Sequence, residues 1–250
     1  MGFFKTINTL AYLALCSSAA AASVNGSAPI TYGIILYRMF DVMDVFGPLE
    51  VLQFLRPSNR LDIFFIAETM ESVTTRPQLD AMNPHKNEMF SLHPPTHTFE
   101  TAPELDVLII PGGPGWRNPA WNASLEYIKR TAPKVKQVIT ICTGAGLAAR
   151  AGIMAGRKAT TNKSSWKEVV SAPESANTTW VTSARWVEDY SSEPPVWSSS
   201  GVTSGIDLML HWVEQIYNKE NATNIARNME HVRISDPSYD PFARPQYGAV

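Results

Sequence analysis

Val138-Ile-Thr-Ile-Cys-Thr-Gly-Ala-Gly146 decides the fold. Four β-branched residues run without polar alternation into Cys142, and three of the next four residues are glycine or alanine. An unbroken β-branched run marks a strand buried on both faces, which belongs to the interior of a parallel sheet. Small residues directly after the cysteine let the chain turn sharply and start a helix, so the stretch has the strand–elbow–helix form that presents a nucleophile. The sulfur then stands near a helix N-terminus, where unpaired N–H groups favour thiolate over thiol. A free cysteine is more often only a small buried hydrophobe. Here the flanking sequence favours the nucleophile.

Working outward, apolar strand-like runs alternate with helical patterns. Strands are expected at Thr31–Leu36, Leu61–Ala67, Asp106–Ile110, Lys158–Ala159, Trp180–Val187 and Val196–Ser199. Helices are expected from Asp44 to Leu55 with Pro48 in the first turn, and from Leu125 to Ala132. Further helices should run from Cys142 to about Arg150, from a Ser164 cap through Val170, and over Ile206–Tyr217 and Asn221–Met229. Ser72 to Pro103 is polar and reads as a hairpin plus loops, and the tail from Ser235 as an irregular surface segment. This alternation predicts an α/β fold, a mostly parallel sheet covered on both faces, in a single domain over residues 23–250. Ligands of such sheets bind beyond the C-terminal strand ends. Asp44, Gly112-Gly113 and Cys142 each follow an expected strand, so they should converge there.

The first 22 residues read differently. Lys5 supplies a short positive region, Ile7 to Cys16 an apolar core, and Ala20-Ala21-Ala22 a small-residue cleavage site, which together make a secretory signal peptide. That core is too short to span a bilayer. Five Asn-x-Ser/Thr sequons, at Asn25, Asn122, Asn162, Asn177 and Asn221, fit an exported glycoprotein. Cleavage removes Lys5 from the 21 basic residues, leaving 20 against 23 acidic ones, a formal charge of −3. No basic stripe is present to attract nucleic acid or anionic lipid. Cleavage also removes Cys16, so Cys142 is left without a disulfide partner, as a free thiol.

Four further motifs join the elbow: Asp41-Val-Met-Asp-Val-Phe-Gly-Pro-Leu-Glu-Val51, Asp106-Val-Leu-Ile-Ile-Pro-Gly-Gly-Pro-Gly115, Gly156-Arg-Lys-Ala-Thr-Thr161 and Ser199-Ser-Gly-Val-Thr-Ser-Gly-Ile-Asp207. In this order, from about Thr31 to Tyr217, the chain resembles the DJ-1/PfpI superfamily. The resemblance implies a flavodoxin-like three-layer sandwich, commonly a homodimer, with a nucleophilic cysteine on the elbow. It also implies that Asp44 sits beside the sulfur, where a carboxylic acid can bond the thiol and shuttle a proton. Aspartate is equally a preferred helix cap, and Asp41 is read here as a cap or surface group. Gly112 and Gly113 would let the backbone approach a substrate and aim N–H groups at developing negative charge, with the N–H of Thr143 as a further donor.

Departures from the pattern narrow the chemistry. Thr143 stands where many relatives have a histidine after the nucleophile, and Asn162 stands where others have one after Ala-Thr-Thr. No Cys–His dyad can be assembled, and Asn162 can orient a substrate or the thiol but cannot act as a base. His85, His93 and His97 read as loop residues, because Pro94-Pro95 removes helical spacing from the last two. His211 reads as a core or interface residue, and His231 has no identifiable partner. No metal or cofactor is called for.

A cysteine paired with an aspartate and followed by Thr-Gly-Ala looks most like the isocyanide hydratase branch. That likeness implies thiolate attack on an isocyanide and hydrolysis of a thioimidate to an N-formamide, in a small apolar pocket. Glyoxalase-like carbonyl chemistry through a cysteine hemithioacetal is the second enzyme reading, with the missing histidine counting against it, and peptidase chemistry lacks its histidine. A secreted thiol sensor or binding protein is the non-enzymatic alternative.

Overall fold

The computed structural model describes residues 27–88 and 90–244, so the leader and Asn25 lie outside the described residues. The apolar runs form a seven-stranded sheet. Its strands are β1 (Thr31–Ile35), β2 (Asp62–Ala67), β5 (His97–Thr98), β6 (Val107–Ile110), β7 (Gln137–Thr140), β10 (Trp186–Asp189) and β11 (Val196–Ser199). They lie in the order β10-β11-β7-β6-β1-β2-β5. All neighbours are parallel except the β10–β11 hairpin. Two small two-stranded sheets stand apart: β3 (Val73–Thr74) with β4 (Leu92–His93), and β8 (Lys158–Ala159) with β9 (Thr179–Trp180).

Helices α1 (Val42–Leu55), α5 (Ser204–Ile216) and α6 (Lys219–Asn228) pack together, as do α2 (Asn122–Thr131) and α3 (Gly144–Arg150). The chain leaves β1 for β2 in one direction and β6 for β7 in the other. Right-handed crossovers therefore put α1 and α2 on opposite faces, which makes three layers. The middle strands β1, β6 and β7 are almost wholly buried, as their unalternating sequences require. The change of direction between β1 and β6 places a topological switch point beside their C-terminal ends.

Several local expectations change. Helix α1 starts at Val42, capped by Asp41, so Pro48 lies inside the helix instead of its first turn. Its missing N–H leaves the Asp44 carbonyl without a helical partner. Within residues 72–103 the hairpin forms, but β5 also adds to β2 as a parallel edge strand. A two-residue strand carries too little periodicity to stand out within a polar, proline-containing stretch. The run from Trp180 to Val187 is broken into β9 and β10. Ser164 caps nothing: the short helix α4 (Trp166–Val170) has no side-chain cap, and Asn162 Oδ1 takes the Ser164 hydroxyl and the Ser165 N–H. His231 does have a partner, Asp207 at 2.8 Å, and His211 lies between Trp186 and Trp197. No helix among the described residues is long and apolar enough to cross a membrane.

Candidate active site

Strand register brings the site together. Ile110 of β6 pairs with Thr140 of β7, so the chain two residues further along each strand brings Gly112 level with Cys142. Ile141 N–H bonds the Ile110 carbonyl, and Gly144 N–H closes a turn onto Ile141. Between them Cys142 takes φ +57°, a left-handed conformation that costs a side-chain-bearing residue about 1–2 kcal/mol. The turn is possible because residue 144 is glycine; a Cβ there would collide with the Ile110 carbonyl.

Asp44 is fully buried in the first turn of α1. It is not the cap, since Asp41 accepts the N–H of Met43. One carboxyl oxygen, Oδ2, accepts the Gly112 N–H at 2.9 Å. The carboxyl also interacts electrostatically with the Cys142 thiol, and its buried Oδ1 has no hydrogen-bond partner. Thr143 Oγ1 accepts the Gly113 N–H at 2.9 Å, while the Thr143 N–H and the Asn162 side chain stand close enough to the sulfur to favour its thiolate. Cys142, Asp44, Thr143, Gly112, Gly113 and Asn162 thus gather in one electrostatically coupled cluster. Gly112 is required in it, because a Cβ would stand 2.5 Å from Thr143 N and 2.8 Å from Asp44 Oδ2.

Two expectations about this cluster change. The N–H groups of Gly112 and Gly113 are engaged by Asp44 and Thr143 and do not face an open space. The helix N-terminus also does not dominate the thiol. Burial first, and the Asp44 charge second, push Cys142 well above an ordinary thiol, against the pull of Thr143 N–H and Asn162. Only 5% of the cysteine is exposed. Burial, with the Asp41 charge behind it, likewise raises the Asp44 carboxyl to about 7. Acid and thiol therefore titrate as a pair, and near neutral pH the pair readily holds one proton between them.

Sequence reading missed two neighbours. Tyr37, fully buried just past β1, donates to the Pro111 carbonyl at 2.9 Å and feels the charges of both Asp44 and Cys142. Thr161 Oγ1 donates to the Cys142 carbonyl at 2.9 Å, bracing the strained residue. Thr161 stands in a quoted motif, whereas nothing about Tyr37 in one sequence distinguishes it from a core aromatic. The groups that act on the Cys142 thiol are Asp44, Thr143, Asp41 and Asn162, and no histidine is among them. No three His, Cys, Asp or Glu side chains among the described residues gather as metal ligands.

A strained cysteine on a strand-to-helix elbow thus stands beside a buried acid from the helix after β1. The DJ-1/PfpI family pattern matches residues 34–215. The chain belongs to the DJ-1/PfpI family. Isonitrile hydratase of Pseudomonas putida is 25% identical over 202 residues, covering 80% of this chain and 77% of that protein. The HTH-type transcriptional regulator GbdR of Pseudomonas aeruginosa is 26% identical over 135 residues, 54% of this chain but only 35% of the regulator. A crystal structure of a ThiJ/PfpI family protein from Pseudomonas syringae superposes with a TM-score of 0.65 at 25% identity, covering 86% of this chain and 78% of that one. Drosophila melanogaster DJ-1beta shares the fold, with a TM-score of 0.59 at 16% identity over 81% of this chain and 98% of its own.

A cavity of about 340 Å³ adjoins the cluster on the side of Asn162. A larger one, about 680 Å³, opens around Thr31, Asp106 and Lys136, at the opposite end of the sheet from Cys142.

Proposed function

We propose that this DJ-1/PfpI protein is a cysteine-dependent hydratase acting on isocyanides. The observation that carries the reading is the Cys142–Asp44 pair: a strained nucleophile whose proton partner is a buried carboxyl titrating near 7, with no histidine bonded to the sulfur. Likeness to isonitrile hydratase supports it.

The thiol proton passes to Asp44 as the sulfur attacks the terminal carbon of R–N≡C, forming the S–C bond. Asp44 returns the proton to that carbon, giving the thioimidate R–N=CH–S. Water then adds to the same carbon, Asp44 moves its proton toward nitrogen, and the C–S bond breaks to release R–NH–CHO and the thiol. One water is consumed and no oxidant or reductant is needed. Asn162 and the Thr143 N–H hold the sulfur through both steps.

Formamide production from a simple aryl isocyanide tests this. Wild type should turn over, and Cys142→Ala and Asp44→Asn should not; turnover retained in Cys142→Ala would overturn the mechanism. Burial of the sulfur favours one other reading, a thiol-bearing binding protein without turnover, and an inactive wild type would select it. The leader supports export, and Asn122 and Asn177 are exposed enough to carry glycans. Asn162 is not a glycan site in this reading, because its amide is held by Ser164, Ser165 and the thiol. Amino-terminal sequencing and glycosidase treatment of the secreted protein check these points.

A further inference from the structure

The 340 Å³ cavity beside the cluster has three walls. Asn162 and Ser164 form the wall nearest the sulfur, the turn from Gly201 to Ser204 a second, and Asp240 with Phe242 the third. That third wall comes from the tail that the sequence presents as an irregular surface segment. It is irregular, but it is seated. The Arg185 N–H bonds the Pro237 carbonyl, and the Asp240 N–H bonds the Ser183 carbonyl. Asp240 itself is buried, with Oδ1 accepting the Phe242 N–H at 3.0 Å and Oδ2 3.7 Å from Lys163 Nζ.

Lys163 connects the tail to the strand end that carries Asn162. Its ammonium donates to Thr160 Oγ1 at 2.7 Å and the Ala184 carbonyl at 3.0 Å, and it lies over the Trp166 ring. The other cation on the cavity wall, Arg185, is paired with buried Asp207 at 2.6 Å. The charges at this cavity therefore cancel in pairs, Lys163 with Asp240 and Arg185 with Asp207. An anionic or cationic ligand would be desolvated there without a free counter-charge to meet it. The volume lies at the low end of the roughly 300–1,000 Å³ of small-molecule sites.

We propose that this cavity holds the body of the substrate and that Asp240 and Phe242, carried by the seated tail, form its outer wall. Phe242 sets the size limit, and the paired charges select uncharged, apolar-bodied molecules whose reactive end passes Asn162 to reach Cys142. This names the substrate class for the Cys142 site and rests on the nucleophile reading, but not on hydratase turnover.

Alkylation of Cys142 tests it without a substrate. Full-length secreted protein is treated with iodoacetamide, iodoacetate and N-benzyl iodoacetamide, and the Cys142 peptide is followed by mass spectrometry. Rates are compared with those of glutathione. Iodoacetate should lag behind iodoacetamide by more than it does for glutathione. Phe242→Ala should raise the ratio of benzyl reagent to iodoacetamide by roughly tenfold, the scale set by one or two lost carbon contacts in a pocket. Tyr239→Ala, on the same segment but not on the cavity wall, should leave that ratio unchanged. An unchanged ratio in Phe242→Ala, or iodoacetate reacting as fast as iodoacetamide, would overturn the proposal. If no reagent alkylates Cys142 even in alkaline buffer, the nucleophile reading fails and takes this one with it. A protein that alkylates as expected yet makes no formamide loses only the isocyanide assignment.

Discussion

Replacing Asp44 with asparagine should make the protein more stable as the pH rises, relative to wild type. The carboxyl is fully buried, and burial with the Asp41 charge raises it from 3.8 to about 7. Between those values the native protein keeps a proton that the unfolded chain has lost. The stabilisation this represents is complete below 3.8 and disappears as pH climbs through about 7. Three units correspond to about 4 kcal/mol in total, at about 1.4 kcal/mol per unit. Half-titration at the upper end leaves about 2 kcal/mol of that to be seen between pH 5 and pH 7. Asparagine keeps an oxygen for the Gly112 N–H but carries no titrating proton. Urea unfolding of both proteins at pH 5, 6, 7 and 8 gives the difference directly, and the other titrating groups cancel in it. The difference should move by about 2 kcal/mol in favour of the variant from pH 5 to pH 7, and flatten beyond. A difference that is flat, or that moves the other way, would show that Asp44 is an ordinary ionised carboxylate and remove the physical basis for its role as proton carrier.

Gly112→Ala should abolish turnover and cost about 1–3 kcal/mol in urea unfolding, because its Cβ enters the space of Thr143 and Asp44 Oδ2; an active, fully stable variant would contradict the close approach. Cys142→Gly should be more stable than Cys142→Ala by about 1 kcal/mol, since only glycine relieves the left-handed φ without strain. The reverse order would mean that the elbow is unstrained. The rate of isocyanide hydration should rise with pH through an apparent value near 7, as the acid–thiol pair loses its first proton, and fall again well above it as the second leaves. A pH–rate profile without the lower limb would place the first ionisation elsewhere.

Much of the site is legible in single stretches of sequence, because each of its parts is a local backbone event. The β-branched run before Cys142 and the glycine two residues after it specify a strand that turns into a helix, and Gly112 likewise marks a strand end that must come close to something. Asp44 is harder. An aspartate near a helix start caps as readily as it serves a site, and only the burial of Asp44 within a helix that Asp41 caps separates the two. Tyr37 and the two-residue strand β5 were beyond reach, since an aromatic after a strand and a pair of extended residues have no periodic signature.

By itself the sequence determined the alternation of the main strands and helices, the strand ends beyond which Asp44, Gly112 and Cys142 gather, and which residue is the candidate nucleophile. These follow from periodicity and from conformations that few residue types can adopt. Tertiary structure alone decided that the thiol is held protonated, that the glycine N–H groups serve Asp44 and Thr143, and that the tail walls a cavity. A pKa depends on solvent exclusion and on charges brought near from other segments, and a hydrogen bond on which of several acceptors arrives first. The chain carries the partners of the two glycines 30 and 68 residues away, Gly113 to Thr143 and Gly112 to Asp44, and only folding sets the distances between them.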